Sequence, residues 1–455
     1  MKKYDLVILG SGPGGYVAAL YAAKKGRTVC VIEKDQVGGA CLNRGCIPTK
    51  VMLHAASVLR QIKTAGKYGI EIKEYTLQFS ALAASRDAIV NRLRNGIVSL
   101  FTSRSIMCIS GRGSLKETGC VEVNGEEIRS DNIIIATGSR PLELPSLTYD
   151  GSAVVSSDDA LTFKDVPRRL LIVGGGVIGC EFAQIFSAFG SKVTIVELRE
   201  QILPEFDREI ARRLSSYLKK DGISVLTSLK VDKIDRQKEA LIARISDGKS
   251  VEADKILVSV GRSPNTEEIG LERLGIRCNG RKISVDRTMS TNVRGVWAIG
   301  DIADGGPMLA HAASYEGIVA CDAMLGEERA IDYSVIPNCV YTEPGIATVG
   351  MGEEEAKKRS GEVRVAKFPF TASGKANVIG KTEGFIKVIG DRTGKIMGIE
   401  IFGSDAHELI GEASLALSLG ANVEDLARTV HCHPTLSEIF QDVAHSFLGT
   451  PIHTI

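Results

Sequence analysis

Residues 4–34, YDLVILGSGPGGYVAALYAAKKGRTVCVIEK, decide how the chain is read. Apolar runs at 6–9 and 28–32 flank a glycine turn and helix-spaced alanines, which predicts strand, turn, helix, strand. Gly10, Gly12 and Gly15 fall on the G-x-G-x-x-G pattern. One glycine makes the turn, one lets the backbone approach a pyrophosphate and one lets helix pack on strand, while the helix N-terminus faces the anion. Glu33 ends the second strand about twenty residues on, where a carboxylate can accept from a ribose hydroxyl pair. The first residues also imitate a secretory signal, with two lysines ahead of an apolar run. Asp5 and the Gly/Pro cluster from Gly10 to Gly15 break that pattern, so the segment reads as strand, turn and helix.

The unit recurs at residues 168–200, RRLLIVGGGVIGCEFAQIFSAFGSKVTIVELRE, with Gly174, Gly176 and Gly179 in the pattern and Glu197 closing the next strand. Two such units imply two dinucleotides, or a duplication with one silent copy. A carboxylate at 197 accepts from a free ribose 2′-hydroxyl and repels a 2′-phosphate, which favours NAD over NADP. Arg199, two residues on, points the other way.

Working outward, 455 residues predict two to four domains. A formal charge of +1, with acids and bases interspersed, gives no reason to expect nucleic acid or a membrane surface as partner. The most apolar run elsewhere, residues 170–180, is cut by glycines and ended by Glu181. It is well short of the ~20 residues of a spanning helix, so a cytoplasmic location is expected. Residues 133–141, IIIATGSRP, read as a buried strand opening into a small-residue loop, and residues 295–303, GVWAIGDIA, repeat that design with Asp301 at its end. A carboxylate there sits in the ligand crevice of a doubly wound sheet, or else caps the next helix.

Of ten cysteines, only Cys41 and Cys46, in GGACLNRGCIPTK at 38–50, form a close pair. By themselves they are compatible with a disulfide, half a metal site or coincidence. Structural zinc needs four ligands, and no second Cys/His pair has the right spacing. A redox pair needs one accessible sulfur to exchange and a second to resolve, in cationic or helix-terminal surroundings; Arg44, Lys50 and a helix start are expected to provide these. Near the other end, HCHPTLSE at 431–438 places His433 and Glu438 within reach across a proline-limited turn. That is the usual form of a general base near neutral pH. The plainer reading is a histidine packed at a helix start, with Glu438 facing the helix dipole.

The three separated motifs GGACLNRGCIPTK, GGGVIGCE and HCHPTLSE, in this order, resemble those of the FAD-dependent pyridine nucleotide-disulfide oxidoreductases, and the likeness runs from Met1 to Ile455. The resemblance implies an α/β fold with two Rossmann-like dinucleotide-binding domains, for FAD at 1–147 and for NAD at 148–266. A central domain at 267–330 would complete the FAD site, and a C-terminal α+β dimerisation domain at 331–455 would build a homodimer. It further implies that Cys41 is the interchange thiol and Cys46 the charge-transfer thiol against the flavin. Lys50 would lie near the flavin and pair with Glu181, while His433, held by Glu438, would reach the disulfide of the other subunit. Gly14, Gly113, Ala136, Thr137, Gly138, Asp301, Met308, Leu309, Ala310 and His311 would join the FAD site, and Val177, Ile178, Glu181 and Gly261 the NAD site. No metal is implied.

Val177 stands where relatives that reduce glutathione and trypanothione carry tyrosine, Glu197 opposes their NADP preference, and the tail has no cysteine after Cys432. The resemblance therefore implies oxidation of a protein-bound dihydrolipoyl group with reduction of NAD. No lipoyl-type domain precedes Tyr4, so the lipoyl carrier is expected on another protein, in a pyruvate, 2-oxoglutarate, branched-chain or glycine-cleavage system. Reduction of another disulfide, such as a low-molecular-weight thiol or coenzyme A disulfide, is the nearest alternative, and a flavin redox sensor without turnover is a more distant one. Three positions depart from the family pattern: Arg44 for a small apolar residue, Cys432 for alanine and Gly345 for glutamate.

Overall fold

The opening segment folds as strand Leu6–Leu9, helix Pro13–Lys24 and strand Val29–Glu33, and every residue of both strands is buried. They lie in a five-stranded parallel sheet ordered Val296–Ala298, Ile133–Ile135, Leu6–Leu9, Val29–Glu33, Met107–Ser110. Inner strands covered on both faces read as continuous apolar runs rather than alternating ones. Leu6, Val7, Ile8 and Ile134 are 0% exposed, each worth ~1.5–3 kcal/mol relative to exposure. The edge strand Val296–Ala298 arrives from beyond the second glycine unit, so this sheet is closed only by residues distant in sequence. Beside it, Lys2–Tyr4 pairs parallel with Glu126–Ser130, which continues antiparallel into Cys120–Val123 and Ser114–Glu117. Leu115, Val121 and Ile128 from that ribbon share one core with Val7, Leu9 and Ile133.

The computed structural model describes residues 2–237 and 240–453. The chain divides into two units. The first gathers the residues through Met52 with Thr76–Asp165 and Val260–Asp332; the second has Leu53–Tyr75, Val166–Ser259 and the chain from Tyr333 on.

In the second unit the repeat folds as strand Arg169–Val173, helix Val177–Ala188 and strand Lys192–Val196. Arg169–Val173 pairs parallel with Lys255–Val258 on one side and Lys192–Val196 on the other, with Ser224–Leu226 beyond. The C-terminal part is an antiparallel sheet ordered Asn338–Val340, Gly345–Gly350, Ile396–Gly403, Phe385–Gly390, Arg364–Pro369. Helix Glu438–Phe447 buries Ile439, Phe440, Val443, Ala444 and Phe447, the spacing of one helix face. They share a core with Phe368, Val388 and Ile399 of that sheet, which fixes where the helix begins. Among the described residues no helix is long and apolar enough to cross a membrane.

Candidate active site

The two glycine turns have the same stereochemistry. Gly10 has φ +99° and Gly174 φ +106°, a region that L side chains avoid. A Cβ on Gly15 would lie 2.0 Å from the Gly10 carbonyl oxygen, and one on Gly179 would lie 2.0 Å from that of Gly174. At the middle glycines, Gly12 and Gly176, a Cβ would meet no protein atom within 4 Å. That open space fronts helices Pro13–Lys24 and Val177–Ala188, whose first turns hold neither a side-chain cap nor an acid. Val177 and Ile178 begin the second of these helices. Bare amides at the positive end of a helix, with nothing filling the space before them, fit a pyrophosphate.

The two strand-end acids also match. Glu33 accepts from Ser11 N at 2.8 Å, Ser11 Oγ at 2.6 Å and Asp35 N at 2.9 Å. Glu197 accepts from Gly175 N at 2.6 Å and Arg199 N at 2.7 Å. Both carboxylates are buried and hold their turns in shape. With about four acceptor sites on a carboxylate, each keeps capacity for a ribose hydroxyl, Glu197 more than Glu33.

The remaining residues expected around FAD all belong to the first unit. No side chain fits at Gly10, where a Cβ would lie 2.4 Å from the Ala136 carbonyl oxygen. Thr137 exchanges two hydrogen bonds with Asn265, both 2.9 Å, and Gly138 turns at φ +65°. Gly113 packs on Leu9, whose Cδ2 would be 2.7 Å from an added Cβ. Asp301 lies in a short turn, Gly300–Ile302, where it accepts from the Ser139 hydroxyl and lies 3.9 Å from Arg262. The helix after it is headed by Leu309, so helix capping is not the task of Asp301. Gly14 serves helix packing: a Cβ would be 2.9 Å from Ala313 O, and one on Gly317 would be 2.7 Å from Gly14 O. The close crossing of Pro13–Lys24 with Ala310–Met324 sets the helix start that carries Met308, Leu309, Ala310 and His311. Of the expected NAD residues, Gly261 falls in the first unit, with φ +125° and its carbonyl accepting from Leu142 N at 3.0 Å.

Both thiols stand on helices. Cys41 lies in Gly39–Arg44, Cys46 opens the 19-residue helix Cys46–Thr64, and Gly45 joins them. Gly38 and Gly39 have φ +99° and +63°, and a Cβ on Gly39 would lie 2.6 Å from Gly12 Cα. This pair of glycines therefore seats the thiol segment directly on the first glycine turn. Gly38 N donates to Ser11 O at 3.0 Å, and Asn43 Nδ2 closes the loop on Gly39 O at 2.8 Å. A hydrogen bond with Cys46, burial and the second sulfur push the Cys41 thiol up, while the Cys46 amide and the Lys50 ammonium pull it down; the net direction is up. Cys46 meets the positive end of its helix, which favours an anion. The expected cationic help from Arg44 is not aimed at the sulfurs: its guanidinium binds Asp35 at 2.5 Å and Asp158 at 3.4 Å.

In the second unit His433 Nδ1 lies 2.8 Å from Glu438 Oε1, and Thr435 N donates to Glu438 Oε2 at 2.8 Å. Glu438 is the first residue of its helix. Burial would raise its carboxyl, but the Thr435 amide and His433 outweigh that and hold it below the usual range. A carboxylate at Nδ1 favours the tautomer with its proton there, which leaves the Nε2 lone pair open on a side chain that is 79% exposed. Glu181 is buried and accepts from Tyr341 N at 3.0 Å. Sequence reading missed Ser11, Gly38, Gly39, Asn43 and Gly317. Only the doubled glycine at 38–39 carried a signal for these contacts.

Residues 4–317 match the family model described as pyridine nucleotide-disulphide oxidoreductase, and residues 336–444 match that family's dimerisation domain. The chain is 43% identical to a dihydrolipoyl dehydrogenase of Thermus scotoductus, over all of both chains, and 39% identical to one of Geobacillus stearothermophilus, over 99% of this chain and 97% of that one. Among solved structures it is similar to LpdA from Mycobacterium tuberculosis, with TM-score 0.92 and 28% identity over 98% of this chain and 99% of that one. It is also similar to the HOCl-induced flavoprotein disulfide reductase RclA from Escherichia coli, with TM-score 0.87 and 30% identity over 97% and 99%. With matched models across most of its length, and dithiol, paired glycine turns and His–Glu pair in the order described, the chain belongs to the pyridine nucleotide-disulphide oxidoreductase family.

Proposed function

We propose that this chain oxidises dihydrolipoyl groups carried by another protein and reduces NAD, with FAD held at the first glycine turn and NAD at the second. The observation that supports the reading is the seating of Gly39 on Gly12, which sets the segment carrying Cys41 and Cys46 beside the first glycine turn. Bound FAD supplies a two-electron relay and NAD the final hydride acceptor. Gly10, Gly12 and Gly15 with Glu33 hold the first dinucleotide, and Gly174, Gly176 and Gly179 with Glu197 hold the second.

The thiol steps belong to the chain's own residues. With Cys41 and Cys46 joined as a disulfide, a substrate thiolate attacks the Cys41 sulfur and Cys46 leaves as a thiolate. The second substrate thiol then displaces Cys41, so the substrate becomes a disulfide and the enzyme a dithiol. His433 takes the substrate proton at Nε2, and Glu438 holds the ring in that tautomer and stabilises the imidazolium. Dihydrolipoyl thiols near the ordinary pKa of ~8.5 are mostly protonated at neutral pH, which is why a base is needed. In the homodimer, His433 of each copy acts on the disulfide of the other. The lipoyl carrier belongs to a 2-oxoacid dehydrogenase or glycine-cleavage complex.

The test is turnover of the purified holoenzyme with dihydrolipoamide and NAD, beside glutathione disulfide with NADH and with NADPH. Fast reduction of NAD by dihydrolipoamide supports the reading, and no turnover of that pair refutes it. The likeness to a flavoprotein disulfide reductase supports a second reading, reduction of another disulfide, which would show as turnover of such a disulfide with dihydrolipoamide inert.

A further inference from the structure

Arg44 lies between the two thiols and takes no part in the steps above. It is the last residue of helix Gly39–Arg44, immediately before Gly45, the residue that separates the helix of Cys41 from that of Cys46. A Cβ on Gly45 would be 3.0 Å from Ala40 O and 3.3 Å from Cys41 Cα, so the two helices meet in a tight hinge. Both partners of the guanidinium are themselves anchored. Asp35 gives its amide to Glu33 at 2.9 Å. Asp158 lies in the short helix Ser157–Ala160, closed by a capping box in which Ser156 N donates to Asp159 at 2.9 Å. Asp158 also feels Arg262, which donates to Ser139 Oγ at 2.7 Å, and that hydroxyl in turn donates to Asp301.

We propose that Arg44 is a positioning residue that clamps the hinge between the dithiol's sulfurs, by joining Asp35, just past strand Val29–Glu33, to Asp158. This rests on the reading of Cys41 and Cys46 as a redox pair. Once their disulfide opens, only the backbone of residues 42–45 ties the sulfurs together, and it leaves their separation adjustable at Gly45; a guanidinium holding two fixed carboxylates restrains that segment from outside. A planar fork can bind two acids at once, which the point charge of lysine does poorly. The clamp raises the effective concentration of one sulfur at the other, and so favours the disulfide over the dithiol.

The experiment equilibrates the holoenzyme with mixtures of reduced and oxidised dithiothreitol, then quenches with acid and alkylates. Two electrons and two protons pass from Cys41 and Cys46 to the reagent's disulfide, and mass spectrometry reads the dithiol fraction. Exposed ion pairs are individually weak, so Arg44→Gln should shift the equilibrium toward dithiol by about threefold to tenfold. Asp158→Asn should give a similar shift, the double variant little more than either alone, and Arg44→Lys a smaller one. Wild type in 1 M salt should approach Arg44→Gln, because screening there acts within ~3 Å. An unchanged equilibrium in Arg44→Gln overturns the clamp. So does a displaced pH profile of Cys41 alkylation, which would make Arg44 a tuner of thiol acidity. A loss confined to protein-carried dihydrolipoyl substrate, with free dihydrolipoamide normal, overturns it as well, by making Arg44 a docking residue. Failure of wild type to oxidise dihydrolipoamide would refute the proposed reaction and leave the redox equilibrium free to judge the clamp.

Discussion

Gly176→Ala separates folding from coenzyme binding. Gly176 has φ −73° and ψ −171°, a conformation open to any residue, and its added methyl would touch no protein atom within 4 Å. Stability should therefore be unchanged, or higher by about 0.4–1 kcal/mol through the less flexible unfolded chain. The methyl instead fills the space in front of the helix Val177–Ala188, where pyrophosphate oxygens must come within about 3 Å of backbone amides. Loss of one hydrogen bond to a charged group costs about 1.5–3 kcal/mol, and 1.4 kcal/mol is a factor of ten. The KM for NADH should rise roughly tenfold to hundredfold, with FAD content and the denaturation midpoint at wild-type values. Gly179→Ala should do the reverse: its methyl would sit 2.0 Å from Gly174 O and 3.0 Å from Ser259 Oγ, an overpacking of about 1–3 kcal/mol. Steady-state reduction of a dye by NADH, flavin absorbance and urea titration read the three quantities. A wild-type KM for NADH in Gly176→Ala would refute the assignment of the second turn, and loss of FAD there would exchange the two sites.

His433→Ala should cut dihydrolipoamide turnover by about 10²–10⁴-fold while electrons still pass from NADH to a dye; unchanged lipoamide kinetics would remove His433 from the mechanism. During titration with NADH, a long-wavelength thiolate-to-flavin band should vanish in Cys46→Ser and persist in Cys41→Ser, and the opposite result would exchange the roles of the two sulfurs. Hydrogen bonds from Arg140 chiefly, with its charge and that of Arg281, hold the Glu267 carboxyl down at about 2. A folded value below the unfolded one means that the ionised pair stabilises at neutral pH, and that this contribution fades as pH falls from about 4.5 toward 2. Glu267→Gln should thus be less stable than wild type at pH 7 and converge with it in acid, followed by the fluorescence of the single tryptophan, buried Trp297.

Where the letters were informative, the physics was local. A glycine turn is a matter of three spacings and one backbone sign, so both strand–turn–helix units could be read, with their terminal acids, from about thirty residues each. The His433–Glu438 contact spans five positions and a helix start, also within the reach of local geometry. Nothing local gives the task of Gly14, whose neighbour Gly317 lies three hundred residues away. Nor does it give the completion of the first sheet by Val296–Ala298.

The stretch GGACLNRGCIPTK shows the division most sharply. Its two cysteines declared a redox, metal or accidental pair, and its lysine and arginine suggested help in making thiolates. That Gly39 rests on Gly12, that Cys46 rather than Cys41 heads a long helix, and that Arg44 turns to Asp35 and Asp158 were decided by packing alone. Sequence by itself determined which groups are present and how they are spaced along the chain. Their direction and partners depend on segments that meet only when the sheets close, because a side chain's orientation follows from what surrounds it and not from its neighbours in sequence.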